Sequence, residues 1–73
     1  MKFYRILNPN GSAHSPETDN FDGVVNMVNF FNRNLIKKNP DATELFSIEE
    51  GTLQWKPCAT EDLLTLKELK EDE

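Results

Sequence analysis

Residues 23–38 read GVVNMVNFFNRNLIKK, and the predicted fold is built around them. Apolar residues recur in it at intervals of four, three and four: Val24, Val28, Phe31 and Leu35. Because residues three and four apart are neighbours on a helix surface, this spacing predicts one main helix with an apolar face. We expect Asp22 to cap its N-terminus. Lys37 and Lys38 lie in the expected last turn, and Asn39-Pro40 ends the pattern.

The polar side of this helix carries several asparagines. Asn26 and Asn29 fall outside the apolar stripe, and Asn32 is expected to face water as well. Asparagine is a weak helix former, so packing of the apolar face against another element must stabilise the helix.

The segments on either side of the helix have the pattern of strands. Residues 2–7 are rich in aromatic and branched side chains and end at the turn sequence NPNG, which predicts a first strand. Residues 44–49 and 52–56 flank Glu50-Gly51 and predict a hairpin. The hairpin residues expected to cover the helix are Phe46, Ile48, Leu53 and Trp55. The predicted fold class is α+β, with a small antiparallel sheet of the N-terminal strand and the C-terminal hairpin packed on one main helix.

Two other segments have weaker patterns. Ser12–Asn20 is small and polar and contains Pro16, so we expect a mobile loop without an apolar anchor. Thr60, followed by two acids, predicts the start of a short C-terminal helix. The highly charged residues 67–73 are expected to fray. The predicted organisation is therefore one compact domain, residues 1–66, followed by an acidic tail, residues 67–73.

The composition describes an acidic chain of 73 residues whose charge is unevenly distributed. The formal net charge is -5. Residues 1–40 contain 5 Lys or Arg against 3 acids, whereas residues 41–73 contain 3 against 10. The acidic half would repel phosphates and attract a basic partner, so direct binding of nucleic acid is not expected.

Several other classes of protein do not fit this sequence. A lone cysteine, Cys58, cannot form an internal disulfide, which favours a reducing cytoplasm. The short apolar stretch of residues 1–7 is interrupted by Arg5, which does not fit a signal peptide. No apolar run approaches the roughly 20 residues of a membrane-spanning helix, so membrane insertion is not expected.

The residues with chemical potential do not form a catalytic pattern. His14 is the one histidine and lies in a loop, and a pairing with Cys58 would lack the third group that orients the base. The acidic pairs Glu49-Glu50 and Glu61-Asp62 are adjacent in sequence, unlike the separated carboxylates of a glycosidase. We therefore predict no catalytic, cofactor-binding or metal site, and a small hydrolase is the least favoured function.

Partner binding is the remaining class of function. Trp55 and Phe46 could form an exposed anchor pair, but a core position is expected for the single tryptophan of so small a domain. The first strand and the acidic tail are the expected exposed elements. An acidic inhibitor that mimics DNA and binds a host nuclease or another DNA-binding enzyme is an alternative, with the acids of residues 41–73 in place of phosphates.

The opening residues MKFYRIL, the chain length and the acidic residues 67–73 resemble a family of small transcription regulators from lytic Xanthomonas bacteriophages. The resemblance covers the whole chain and implies a non-enzymatic protein of the host bacterial cytoplasm that binds host RNA polymerase. It implies contact with the N-terminal region of the β′ subunit, displacement of the sigma factor and suppression of termination together with NusA. Residues 1–10 would contact polymerase, and the tail would meet a second surface, for which the β flap is a candidate.

Within these two segments the partner-binding residues are chosen on physical grounds. The set combines donors and an aromatic residue near the N-terminus with acids of the tail: Lys2, Tyr4, Arg5, Asn8, Asn10, Glu68, Glu71, Asp72 and Glu73. Lys2, Tyr4 and Arg5 are expected on the outer side of the first strand. The chain is expected to act as a monomer, without a cofactor, a membrane or direct contact with nucleic acid.

Overall fold

A computed structural model describes residues 2–58 and 60–71 and confirms the predicted α+β fold. A three-stranded antiparallel sheet in the order β1-β2-β3 packs on one long helix, and a short second helix follows. The elements are β1 (Phe3–Leu7), α1 (Phe21–Lys38), β2 (Ser47–Gly51), β3 (Trp55–Pro57) and α2 (Leu66–Glu71). Neither helix in this described part of the chain has the length and apolar character needed to cross a bilayer.

Helix α1 begins two residues before the predicted start. The Asn20 side-chain oxygen accepts a hydrogen bond from the Gly23 N–H at 3.1 Å, so Asn20 is the N-cap and the prediction of Asp22 is wrong. Asp22 lies instead in the first turn, where its charge complements the helix dipole. The helix ends as predicted, with Lys37 and Lys38 in the last turn.

The buried face of α1 is rotated from the predicted one. Its buried residues are Val24, Val25, Val28, Asn32 and Ile36. Phe31 and Leu35, which were predicted to be core residues, are only half-buried. Apolar side chains surround more than half of this helix, so the helical period alone leaves its rotation open. The sheet packs on the side of the compact branched residues, with Ile6 and Ile48 completing the core.

Asn32 is 2% exposed, so the expectation that it faces water is wrong. Its side-chain amide donates to the Phe46 carbonyl at 3.2 Å, and its oxygen accepts from the Phe46 N–H at 2.8 Å. Asn29 does the same for a later segment: it donates to the Asp62 carbonyl at 3.0 Å and accepts from the Leu64 N–H at 2.9 Å. Both segments are irregular, and the two asparagines supply the partners that their backbones would otherwise lack.

The hairpin is present, but its turn lies later than predicted. Strand β2 continues through Gly51, which pairs with Trp55, and residues 52–54 form the connection. A Cβ at Gly51 would lie 2.5 Å from the Gln54 carbonyl oxygen, so this close approach requires glycine. Cys58 lies opposite Ile48, and its N–H donates to the Ile48 carbonyl at 2.9 Å. The predicted register would have placed Leu53 opposite Ile48.

The register of the hairpin thus differs from the predicted one by an odd number of residues, and two predicted core residues lie outside the core. A shift by an odd number of residues turns every side chain of the strand to the other sheet face. Trp55 therefore lies on the face away from α1, and Leu53 is 97% exposed at the hairpin tip. The prediction that both cover the helix is wrong, whereas the prediction for Ile48 is confirmed.

Residues 12–18 run antiparallel along the edge of β1 that β2 leaves open. Tyr4 and Thr18 exchange backbone hydrogen bonds of 2.7 and 2.9 Å, and the His14 N–H donates to the Ile6 carbonyl at 2.8 Å. The His14 ring lies 5.1 Å from the Phe31 ring, centroid to centroid. The segment predicted to be an unanchored loop thus has both backbone and aromatic anchors.

The C-terminal helix begins later than predicted and extends into the predicted tail. Thr60 forms only a turn, in which its carbonyl accepts from the Leu63 N–H at 3.3 Å. Thr65 and Glu68 cap α2 reciprocally: the Thr65 hydroxyl accepts from the Glu68 N–H at 3.2 Å, and the Glu68 carboxylate accepts from the Thr65 N–H at 3.4 Å. Leu69 is 2% exposed. Up to Glu71, the expected frayed segment is a capped helix with a buried anchor.

Candidate partner-binding surface

The three N-terminal residues chosen for partner binding do not share one face of β1. Tyr4 lies on the helix side, where its ring centroid is 5.0 Å from that of Phe21, and it packs against the core. The prediction that it lies on the outer side with Arg5 is wrong, because neighbouring residues of a strand point to opposite faces. Lys2 lies just before β1, and its ammonium is 3.4 Å from the Glu50 carboxylate on β2.

Arg5 lies on the outer face of the sheet, between Glu49 and Trp55. Its Nε and Nη2 atoms are 2.9 and 2.7 Å from the same Glu49 oxygen, Oε1. The guanidinium carbon is 4.2 Å from the centroid of a Trp55 ring, which is close enough for a cation–π contact. Arg5 therefore contacts both side chains, and all three are half-buried on the outer face of the sheet.

Two further apolar residues extend this arrangement. Phe3 pairs with Gly51, which in turn pairs with Trp55, so Phe3 lies across the glycine from the tryptophan on the same face. A cleft of about 120 Å³ at the hairpin tip is lined by Phe3 and Trp55 together with Leu53. We call Phe3, Arg5, Leu53 and Trp55 the sheet surface. Tryptophan and arginine are the side chains that most often dominate the binding energy of protein interfaces.

Asn8 and Asn10 lie at the opposite end of β1 from the hairpin tip. The Asn8 amide donates to the Ser12 hydroxyl at 3.0 Å, and the Asn10 side-chain oxygen accepts from the Ser12 N–H at 3.0 Å. These side chains shape the turn after β1, so the structure does not bring them together with Arg5.

The tail residues form a separate site. Helix α2 contacts α1, and none of the strands among the described elements contacts it. Glu68 is engaged in the cap of α2, whereas Glu71 is exposed. Asp72 and Glu73 lie outside the described residues. The N-terminal and C-terminal contact residues predicted from the sequence are therefore on different elements.

Cys58 and His14, the two residues considered as a nucleophile and its base, lie in different surroundings. Partial burial raises the pKa of the Cys58 thiol, the Glu50 carboxylate raises it further, and the Lys2 ammonium lowers it. His14 instead packs against Phe31 and Phe46. Within residues 2–58 and 60–71, no three histidine, cysteine or acidic residues gather where they could hold a metal ion.

Sequence reasoning missed three members of the sheet surface: Phe3, Leu53 and Trp55. The alternation of β1 already places Phe3 beside Arg5, so Phe3 could have been found. Leu53 and Trp55 were lost through the error in hairpin register. A hairpin loop of three residues, which is also common, would have paired Gly51 with Trp55 as the structure does.

Comparisons of the chain with protein-family models, with curated proteins and with solved structures found no match. The geometry of the sheet surface and the resemblance of the opening residues are therefore the grounds for a functional proposal.

Proposed function

We propose that this chain is a non-enzymatic phage regulator that binds host RNA polymerase through the sheet surface. The observation that supports it is the group formed on the outer face of the sheet by Arg5, which packs on the half-buried Trp55, and by the exposed Leu53. Monomeric proteins rarely expose a large apolar patch without an interaction to cover it.

The arrangement of Arg5 favours tight binding over loose attraction. Glu49 and Trp55 hold the guanidinium in place before any partner arrives. Binding then loses less side-chain entropy than it would with a mobile arginine. Leu53 adds an apolar side chain that becomes buried only in a complex.

The choice of polymerase as partner is supported by the resemblance carried by MKFYRIL, of which Phe3–Leu7 form β1. The proposed contact is the N-terminal region of the β′ subunit, with displacement of the sigma factor and, together with NusA, suppression of termination. The acids at the C-terminus would meet a second polymerase surface such as the β flap. Their attraction would act mainly on the association rate.

A DNA-mimic inhibitor is the second candidate, and the ion pairs count against it. Glu49 is paired with Arg5 and Glu50 with Lys2, so two of the ten acids of residues 41–73 are partly neutralised. A mimic of DNA needs its carboxylates unpaired and in a regular row, as phosphates are.

The test is kinetic binding of the purified chain to host core polymerase and holoenzyme. Leu53→Ala and Trp55→Ala should each speed dissociation by about tenfold, since central anchors each contribute more than 1 kcal/mol. Asn26→Ala, an exposed helix substitution, is the control and should change nothing. Transcription from a sigma-dependent promoter should be inhibited by the unsubstituted chain and less by the two variants.

The contribution of the acidic end is tested in the same assay. Neutralising Glu71, Asp72 and Glu73 to their amides leaves the α2 cap and Leu69 intact. This variant should associate more slowly and with a weaker salt dependence, at an unchanged dissociation rate. If the chain does not bind polymerase but inhibits a host nuclease, the DNA-mimic function replaces the proposal.

A further inference from the structure

We infer that a groove along helix α1 is a docking site for an acidic, amphipathic helical segment of a partner protein. The groove lies between the helix and the segment that leads into β2. It is lined by Phe30, Phe31, Asn34, Leu35, Lys38 and Phe46. This inference does not depend on the polymerase proposal, which concerns the sheet surface.

The groove is apolar and open. Its volume is about 330 Å³, and Phe30 on its wall is 60% exposed. The Phe31 ring lies between its neighbours, 6.2 Å from Phe30 and 5.2 Å from Phe46, centroid to centroid. Met27, one turn before Phe31, extends the exposed apolar strip along the helix. In a domain of this size, such a strip marks an interaction site.

The base of the groove is already ordered without a ligand. His14 packs on both Phe31 and Phe46, at centroid distances of 5.1 and 5.7 Å. The two hydrogen bonds from Asn32 hold the backbone of Phe46. A partner therefore meets aromatic rings in fixed positions, which lowers the entropy lost on binding.

The charges around the groove select an acidic occupant. Lys38 is its one charged lining residue. Arg33 and Lys37 follow Phe30 at i+3 and i+7 and are exposed, so all three cations lie along the same half of the helix. Within the described residues, none of them forms an ion pair. They are a local positive site on a chain of net charge -5.

The apolar lining of the groove and the row of cations beside it suit a helical segment. Amphipathic helices bind apolar grooves with side chains at i, i+3, i+4 and i+7, and acids beside those anchors would meet the three cations. Helix α2 of a second copy is a poor occupant, because Leu69 is buried in its own fold. A nucleic acid could also stack on these rings and pair with these cations, but the net negative charge of the chain opposes its binding.

The test uses the full chain and two model peptides of about 15 residues, long enough to become helical on binding. Both peptides carry leucine at the same i, i+3, i+4 and i+7 positions, and their polar positions are glutamate in one and lysine in the other. Fluorescence anisotropy should show the glutamate peptide binding at least about tenfold more tightly at low salt, with a difference that shrinks as salt rises.

Three variants assign the binding to the groove. Phe30→Ala should weaken the glutamate peptide by about tenfold, and circular dichroism should show that the variant folds, since Phe30 is mostly exposed. Reversing Lys37 and Lys38 to glutamate should remove the preference for the acidic peptide. The matched control reverses Lys67 and Lys70, two exposed lysines on α2, and should leave it unchanged.

Four outcomes would overturn the inference. These are no binding of the glutamate peptide at millimolar concentration, equal binding of the lysine peptide, tighter binding of a single-stranded oligonucleotide, and a dimer in sedimentation equilibrium that Phe30→Ala dissociates. The last outcome would assign the groove to a second copy of the chain.

Discussion

Replacing Asn32 with leucine tests whether the two hydrogen bonds to Phe46 hold the segment that leads into β2 against helix α1. The substitution keeps a side chain of similar size and removes both partners of the Phe46 backbone. Two net hydrogen bonds contribute about 1–3 kcal/mol, and leaving the Phe46 groups unpaired adds about 1 kcal/mol or more where water cannot reach them. Burial of the apolar leucine side chain offsets about 1.5–2 kcal/mol of this loss, and its better helix propensity returns a few tenths of a kcal/mol.

The expected net loss is therefore about 1–2 kcal/mol from a stability of roughly 4–11 kcal/mol for a chain of this length. The melting temperature should fall by about 5 °C or more. The assay is urea unfolding followed by the fluorescence of Trp55 and by circular dichroism. Asn26→Leu is the matched control: Asn26 is exposed on the same helix, and its substitution should change stability by less than about 0.5 kcal/mol. Equal midpoints for the two variants would refute the reasoning.

Two other predictions concern the chemistry of Cys58 and the order of residues 12–18. Because Glu50 raises the pKa of the Cys58 thiol and Lys2 lowers it, Glu50→Gln should shift the pH profile of iodoacetamide alkylation to lower pH and Lys2→Met to higher pH. Shifts in the same direction would contradict this electrostatic account. The His14 and Thr18 amides should exchange slowly with deuterium by NMR, because both donate to the backbone of β1. Exchange as fast as at unbonded amides of the same segment would mean that the segment is mobile.

Local patterns in the sequence were sufficient for the elements but not for their faces. The apolar period and Asn39-Pro40 predicted α1 and its end, and alternation predicted β1. The rotation of α1 was not predictable, because apolar residues lie on both sides of the helix and only one side packs against the sheet. The hairpin shows the same limit. The predicted pairing of β3 differed from the observed one by an odd number of residues, so the side chains expected on the helix side lie on the other face of the sheet.

The candidate sites depended even more on long-range contacts. Arg5 could be chosen from the sequence, but its neighbours Glu49 and Trp55 come close only through the register of three strands. Tyr4 was placed on the wrong side of β1, although the alternation of the strand separates it from Arg5. The groove on α1 was not expected at all, because it forms only when Phe46 is held against the helix.

The fold class, the order of the main elements and the charge of each half could be predicted, because they follow from neighbouring residues and from composition. Long-range contacts place the half-buried Trp55 on the sheet face away from α1 and bury Asn32. Whether a polar side chain is buried depends on which distant backbone groups need a partner, and whether an aromatic one is exposed depends on strand register. Both are properties of contacts between residues far apart in the chain, where local spacing carries no information.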